Sequence, residues 1–497
     1  MGPDRHEGDL EQRLRTTGLF VGPLLAALVL AINPGGHPPE ARRLLGVFTL
    51  VVAWWVTEAI PLPATALVGS ALAIVAGIAP AREVLAPYAD PVIFLFLGTF
   101  LLAEAFRKYG LDRRVAAALL GLRVFAGSPF GLMAGFGVVS ATLSSVLSNT
   151  ATAALLTPVA TGALDSRDGA GKEGKPRPFD AGVLLMIAYG ASIGGLATLI
   201  GTPPNLLVAG FLERLAGVHV TFTGWLVFAF PIALAMGLAA LGVVRLTLGR
   251  HLDQEALPRA PSIEGSSAHP DTRAGARWTV VAVSLALVLW TAPAVASLLL
   301  GREHALARAL GRHFPEAGVA LLCAVLLFVA PLSWRARRFA LGWNEAQRIN
   351  WGVLLLFGGG LSLGSLAEST GLARWAGEEV VGSGLASSPG GFMLAAIVAA
   401  LVLTEFASNT AAATLLLPVV IAAARQAGFD PVPPAIAVGL ATTCAFVFPV
   451  STPPNAIVFG TGRVPLTRMI RTGVLLDVLT VVIIWVGVRA LDPLLPR

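Results

Sequence analysis

Cysteine is nearly absent. Cys323 and Cys444 are the only two among 497 residues, and each sits in an apolar run. A disulfide framework and a thiolate metal site are therefore excluded, and both cysteines read as small apolar filler. Charge is scarce too, at 13% of the chain where a soluble domain has roughly a quarter. The seven histidines fall in loops or near the termini. No metal-ligand spacing, nucleophile–base pair or phosphate-cradling glycine loop appears, so nothing supports an enzyme.

Apolar sequence is abundant: 55% of residues are hydrophobic and the mean hydropathy is +0.77. Uncharged runs recur near the roughly 20 residues that carry a helix across a bilayer. The alternation of a membrane barrel is missing. The fold class is an all-α polytopic membrane protein in the lipid bilayer. The net charge of +6 does not point to nucleic acid, because the basic residues are spread over short loops.

Eleven spans are expected, at 18–33, 43–60, 62–79, 90–106, 181–200, 224–249, 278–299, 316–333, 350–367, 433–450 and 472–490. Two further runs, 131–164 and 391–424, carry polar triplets at their centres, Ser148-Asn149-Thr150 and Ser408-Asn409-Thr410. A single helix of that length would extend about 50 Å, against a hydrocarbon core of about 30 Å. Two full spans would need about 40 residues plus a turn. A re-entrant helical hairpin with the triplet at its tip fits best. Irregular backbone at that depth is tolerated only where protein or a water-filled cavity surrounds it.

Charge placement orients the chain. With Met1 to Thr17 as a cytoplasmic tail, 24 of the 35 basic residues fall inside. Arg42 and Arg43, in a loop expected outside, dissent. The first hairpin then opens inward and the second outward, and the C-terminus lies outside. The location is the plasma (inner) membrane.

The halves repeat. Leu95-Phe96-Leu97-Gly98 matches Leu356-Phe357-Gly358-Gly359, and Tyr109-Gly110-Leu111 matches Thr370-Gly371-Leu372. The triplets, with Pro158 and Pro418 behind them, are offset by 260, and the breaks Thr202-Pro203-Pro204-Asn205 and Thr452-Pro453-Pro454-Asn455 by 250. An odd number of crossings per unit makes the repeats inverted, the usual design of secondary transporters. The expected parts are a tail 1–17, a first scaffold part 18–130, a first transport part 131–249 and a linker 250–277. A second scaffold part, 278–390, and a second transport part, 391–497, follow.

Each Pro-Pro removes helical partners from earlier carbonyls, those of Leu199 and Ile200 and of Pro449 and Val450. Such carbonyls, with hydroxyls and Asn amide oxygens, suit sodium, while the helix N-termini that restart after each break suit an anion. No Lys or Arg lies in either hairpin run or either break. An anion there must be neutralised by bound cations, which makes its binding cation-linked. Glu405 is expected as a structural acceptor, with a proton or cation role as the alternative. Gly358-Gly359-Gly360 reads as close helix packing.

Ser148-Asn149-Thr150-Ala151-Thr152, the run Thr404 to Thr410 and the run Val450 to Gly460 resemble the divalent anion:sodium symporter family of dicarboxylate, citrate and sulfate carriers. The resemblance spans roughly residues 40–490. It implies eleven spans with two hairpins, a homodimer and an elevator mechanism. It also implies at least two sodium ions, one at Ser144, Ser148, Asn149 and the Gly201 carbonyl. The other would lie at Thr404, the Ala407 carbonyl, Asn409 and Ser451. Substrate carboxylates would meet both triplets with Thr202, Thr452 and Pro453. The expected function is sodium-coupled import of C4 dicarboxylates such as succinate, malate or fumarate. A sodium-independent dicarboxylate or citrate exchanger and a sodium–sulfate symporter share the pattern. A channel would lack saturable, sodium-dependent uptake.

Overall fold

Proline and serine punctuation sets where the helices of the two hairpins begin. Ser128 and Ser388, offset by 260, are N-caps that accept from the backbone N–H of Gly131 at 2.9 Å and Gly391 at 3.1 Å. Pro129 and Pro389 follow at the first helical position, where a missing N–H costs nothing. In this computed structural model, residues 4–33, 36–165, 177–248, 270–301, 303–384 and 387–495 are described. Most of the loop after the first hairpin and the expected linker as far as residue 269 lie outside them.

Both polar-centred runs fold as helix–turn–helix. The first is Pro129–Ser144 followed by Asn149–Asp165, and the second is Pro389–Phe406 followed by Asn409–Gln426. Each triplet sits at the turn, as the run lengths require. Two broken helices accompany them, Pro178–Leu196 with Pro203–Phe211 and Val432–Thr442 with Pro453–Phe459. The helix Phe222–Leu248 packs against Pro178–Leu196 and against Leu466–Ala490.

Two pairs among the remaining helices cross the repeats. Leu62–Val75 lies along Trp351–Ser369, and Pro91–Lys108 lies along Glu316–Val329. Close approach explains part of the glycine triplet: a Cβ on Gly359 would stand 2.6 Å from that of Ala66. Two short amphipathic helices, Leu111–Leu120 and Leu372–Gly382, join these pairs to the hairpins. Each is preceded by a left-handed glycine, Gly110 at φ 64° and Gly371 at φ 79°, a turn that a side chain disfavours. These are the glycines of the repeated Tyr/Thr-Gly-Leu motif.

Among the described residues eight helices are long and apolar enough to cross a bilayer. Seven of the expected spans are in that group, together with one hairpin arm, Pro389–Phe406. Leu62–Val75 and Glu316–Val329 are short, Val432–Thr442 is one part of a broken helix, and Pro39–Thr57 carries Glu40, Arg42 and Arg43 near its start. Arg42 donates to the Leu30 carbonyl and Arg43 to the Ala76 carbonyl at 2.9 Å. Both guanidinium groups therefore serve helix C-termini, which favour cations whichever side they face. A two-stranded hairpin, Pro331–Ser333 with Arg338–Phe339, was not anticipated.

Candidate site at the hairpin tips and helix breaks

The two hairpin tips share one internal hydrogen bond. Ser144 Oγ donates to Asn149 Oδ1 at 2.8 Å, and Thr404 Oγ1 lies at 2.8 Å from Asn409 Oδ1. The residues are offset by 260 in each case. A hydroxyl at the end of one arm thus orients the amide that opens the next. Ser144 and Thr404 are fully buried. Thr404 Oγ1 also reaches the Thr442 carbonyl at 2.6 Å, tying the second tip to the second broken helix. Thr198 Oγ1 ties the first tip to the first break through the Ser145 carbonyl at 2.5 Å.

The breaks start earlier than proline alone dictates. The helices stop at Leu196 and Thr442 and restart at Pro203 and Pro453, with one 3-10 turn at Pro449–Ser451. The unwound segments are therefore 197–202 and 443–452. Asn205 and Asn455 bridge them. Asn205 Nδ2 donates to the carbonyls of Gly195 and Thr198, both at 2.8 Å, and Asn455 Nδ2 to those of Ala445 at 3.1 Å and Phe448 at 3.0 Å. Thr202 and Thr452 share one extended conformation, at φ −146° ψ 146° and φ −141° ψ 148°. Thr452 also accepts from the Asn455 N–H at 3.3 Å.

First tip and first break meet at Gly195. A Cβ placed there would stand 2.8 Å from Asn149 Oδ1, 3.2 Å from Thr202 Cβ and 3.4 Å from the Gly201 carbonyl oxygen. Asn149, Gly201 and Thr202, three of the residues expected to bind ion or substrate, thus converge on one residue without a side chain. In the second half, Glu405 accepts from the N–H groups of Phe446 at 2.8 Å, Val447 at 3.2 Å and Phe448 at 3.4 Å. Ser451 Oγ donates to it as well, at 2.5 Å to the carboxylate and 3.0 Å to its backbone carbonyl. The structural reading of Glu405 therefore describes its contacts. With its proton engaged there, Ser451 Oγ has only lone pairs left, which a cation accepts.

The halves interlock. Pro453–Phe459 packs on Asn149–Asp165 and Pro178–Leu196, while Pro203–Phe211 packs on Asn409–Gln426 and Val432–Thr442. Each restarted helix rests on the hairpin of the other repeat, so the four helices that begin at Asn149, Pro203, Asn409 and Pro453 belong to one packed cluster. Exposure is unequal. Ser148 and Thr150 are exposed, Asn149, Ser408 and Asn409 are intermediate, and Ala407, Thr410, Gly201, Thr202, Ser451 and Thr452 are buried. Pro453 is exposed. Ser148 Oγ accepts from the Ala151 N–H at 3.2 Å and so caps its arm. The donors are neutral hydroxyl, amide and carbonyl oxygens, a set that fits sodium at unwound helices.

Sequence reasoning passed over Gly195, Asp477 and the separate part played by Asn205 and Asn455. Asp477, in the middle of Leu466–Ala490, is half-buried, and its Oδ1 atom lies inside the protein with no hydrogen-bond partner among the described residues. Its signal was plain, since an acidic residue inside a span asks for a partner.

Comparison with known proteins decides the family. The sequence model for the sodium:sulfate symporter transmembrane region matches residues 17–493. The chain belongs to this symporter family. It is the divalent anion:sodium symporter family that the motifs resemble. A sodium-dependent dicarboxylate transporter, SdcS, of Staphylococcus saprophyticus is 31% identical over 96% of this chain and 91% of its own length. The SdcS protein of a bovine Staphylococcus aureus strain is 32% identical with the same coverage. Among solved structures, the YdaH transporter of Alcanivorax borkumensis is similar with a TM-score of 0.54 at 17% identity. That likeness covers 83% of this chain and 87% of the other, and it concerns the fold alone. As a symporter-family member the chain is a multi-pass membrane transporter and not an enzyme.

Proposed function

We propose that this transporter imports C4 dicarboxylates such as succinate, malate and fumarate, coupled to at least two sodium ions. The carrying observation is the doubled site without a basic residue, in which two Ser/Thr–Asn pairs stand beside two unwound segments and neither Lys nor Arg lies in either hairpin run or break. A dianion placed there needs cations and helix N-termini to balance it. Sodium would take Ser144, Ser148, Asn149 and the Gly201 carbonyl at one site, and Thr404, the Ala407 carbonyl, Asn409 and Ser451 at the other. Carboxylates would take the remaining hydroxyls and N–H groups of the triplets, with Thr202, Thr452 and the Pro453 turn. The relatives named for sodium-dependent dicarboxylate transport support this choice over sulfate.

The cross-repeat helix pairs would form a fixed scaffold in a homodimer. The hairpins, broken helices and the helices Phe222–Leu248 and Leu466–Ala490 would move as one body in an elevator motion. The hairpins would be re-entrant from opposite faces, with the N-terminus cytoplasmic and the C-terminus outside. The test is succinate uptake into proteoliposomes with and without an inward sodium gradient, and with succinate preloaded. Sodium-driven uptake is expected, and uptake driven only by internal succinate would replace symport with exchange. Asn149→Ala combined with Asn409→Ala should abolish uptake while the protein still elutes as one oligomer. Uptake at the unmodified rate by that double variant would overturn the site assignment.

A further inference from the structure

We propose that Asn205 and Asn455 are positioning residues that set the sodium affinity of the two half-sites by bracketing the unwound segments. The inference rests on the symport reading above. Both side chains are fully buried and sit at the same place, the third residue of the restarted helix. Each amide donates its two hydrogens to carbonyls ten and seven residues earlier. The bracket closes over the break from the end of one helix to the start of the next. Buried carbonyls left by the unwinding would otherwise lack donors.

The selection of carbonyls gives the bracket a function beyond packing. The amide hydrogens engage Gly195 and Thr198 in one half and Ala445 and Phe448 in the other. Gly201 and Ser451, the residues assigned to sodium, lie inside the bracket, three residues past the second anchor and four before the Asn in each case. Gly201 also leans on the first anchor, since a Cβ on it would stand 2.6 Å from the Gly195 carbonyl oxygen. The Asn thus occupies structural carbonyls and fixes the backbone that presents the ligating residue.

Both Oδ1 atoms are buried without a protein partner. The amide is therefore held by its donors alone. A flipped amide would place oxygen against two carbonyls, which settles its orientation. Partners that orient metal ligands from behind typically change affinity by about 10- to 100-fold when removed.

The experiment uses the full chain, purified and reconstituted, with Asn205→Leu and Asn455→Leu made singly, since Leu keeps the volume and removes the donors. Two readouts are taken against sodium concentration: succinate uptake and the rise in Tm that sodium produces. Each variant should need about 10- to 100-fold more sodium for half-maximal uptake and half-maximal stabilisation. Uptake at saturating sodium should persist. A lower Tm with an unchanged sodium dependence would reduce the bracket to packing and overturn the proposal, as would no change at all. Where a Leu variant does not fold, Asn→Ser at the same position, which admits water, is read against the same outcomes. Unmodified protein that ignores sodium in both readouts would overturn the symport reading itself. That result is distinct from a sodium response that the variants share.

Discussion

The two repeats build the same half-site with different backbones. In the first, the helix runs on to Leu196 and the unwound segment is short. In the second, the helix stops at Thr442, the equivalent of Ser192, so about one more turn is unwound. That turn leaves the N–H groups of Phe446, Val447 and Phe448 without helical acceptors, and Glu405 receives all three. The first repeat has Ser145 where the second has Glu405, and Gly201 where the second has Ser451. Glutamate and Ser451 are joined by a hydrogen bond, so the two differences form one device. The comparison teaches that a carboxylate can stand in for a missing helical turn, provided several N–H groups share its charge.

The largest expected effect follows from removing that substitute. Glu405→Ala leaves three backbone N–H groups without their acceptor, while the Ser451 hydroxyl keeps only the backbone carbonyl of residue 405. At about 1–3 kcal/mol for each unsatisfied buried group, the loss should be at least about 3 kcal/mol. Ser145→Ala, at the equivalent place, removes only a hydroxyl that bonds the Thr142 carbonyl within its own helix end, and should cost within about 0.5 kcal/mol. Thermal unfolding of the two variants in detergent measures the contrast. Equal losses would mean that the longer unwound segment does not depend on Glu405.

A second contrast lies at Gly195 and its equivalent, Ala445. The first position touches Asn149, Thr202 and Gly201 at once, and the second lies within the longer unwound segment. Gly195→Ala would drive a methyl group into Asn149 Oδ1, and should raise the sodium concentration for half-maximal uptake by about tenfold or more. Ala445→Gly only frees backbone, and should lower stability by about 0.4–1 kcal/mol with little change in sodium dependence. Sodium titrations of uptake in both variants decide it. An unaltered sodium response in Gly195→Ala would separate the first tip from the first break.

Much of this was legible because the repeat is written in residues whose reasons are local. Ser-Asn-Thr and Thr-Pro-Pro-Asn are costly in hydrocarbon unless used, so their duplication marked the tips and breaks. Run length alone called for a hairpin. What stayed hidden depends on partners distant in sequence. Proline marks where a helix restarts but does not say how far back it unravels, so the carbonyls expected to be freed were those of Leu199 and Ile200 while the bracket holds Gly195 and Thr198. Gly195 looks like any small residue in a membrane helix until Asn149 is seen against it. Spans shorter than the bilayer, such as Leu62–Val75, are counted from composition but not from helix length.

The smallest expected effect concerns the loops that follow the two broken helices. After the first, Arg214 pairs with Asp90 at 3.3 Å and His219 with Glu316 at 3.3 Å, both on helices outside the broken-helix cluster. After the second, Arg463 pairs with Asp165 and, at 3.6 Å, with Asp180, both within it. Only the first loop carries a histidine. The hydrogen bond that the His219 imidazolium donates to Glu316 pushes its pKa up to about 9 in spite of partial burial. A raised histidine pKa stabilises fully below the unfolded value, near 6.5, and the contribution is lost as pH climbs through about 9. With the His219 side chain 56% exposed, the effect should stay within about 1 kcal/mol. Between pH 7.5 and 9.5, amide exchange corrected for its intrinsic rate should quicken over residues 217–222 and hold steady over 460–465. His219→Ala should remove the difference between the two pH values. Loops that loosen together would mean that His219 does not fasten the first one, and that its contact with Glu316 is incidental to where that loop sits.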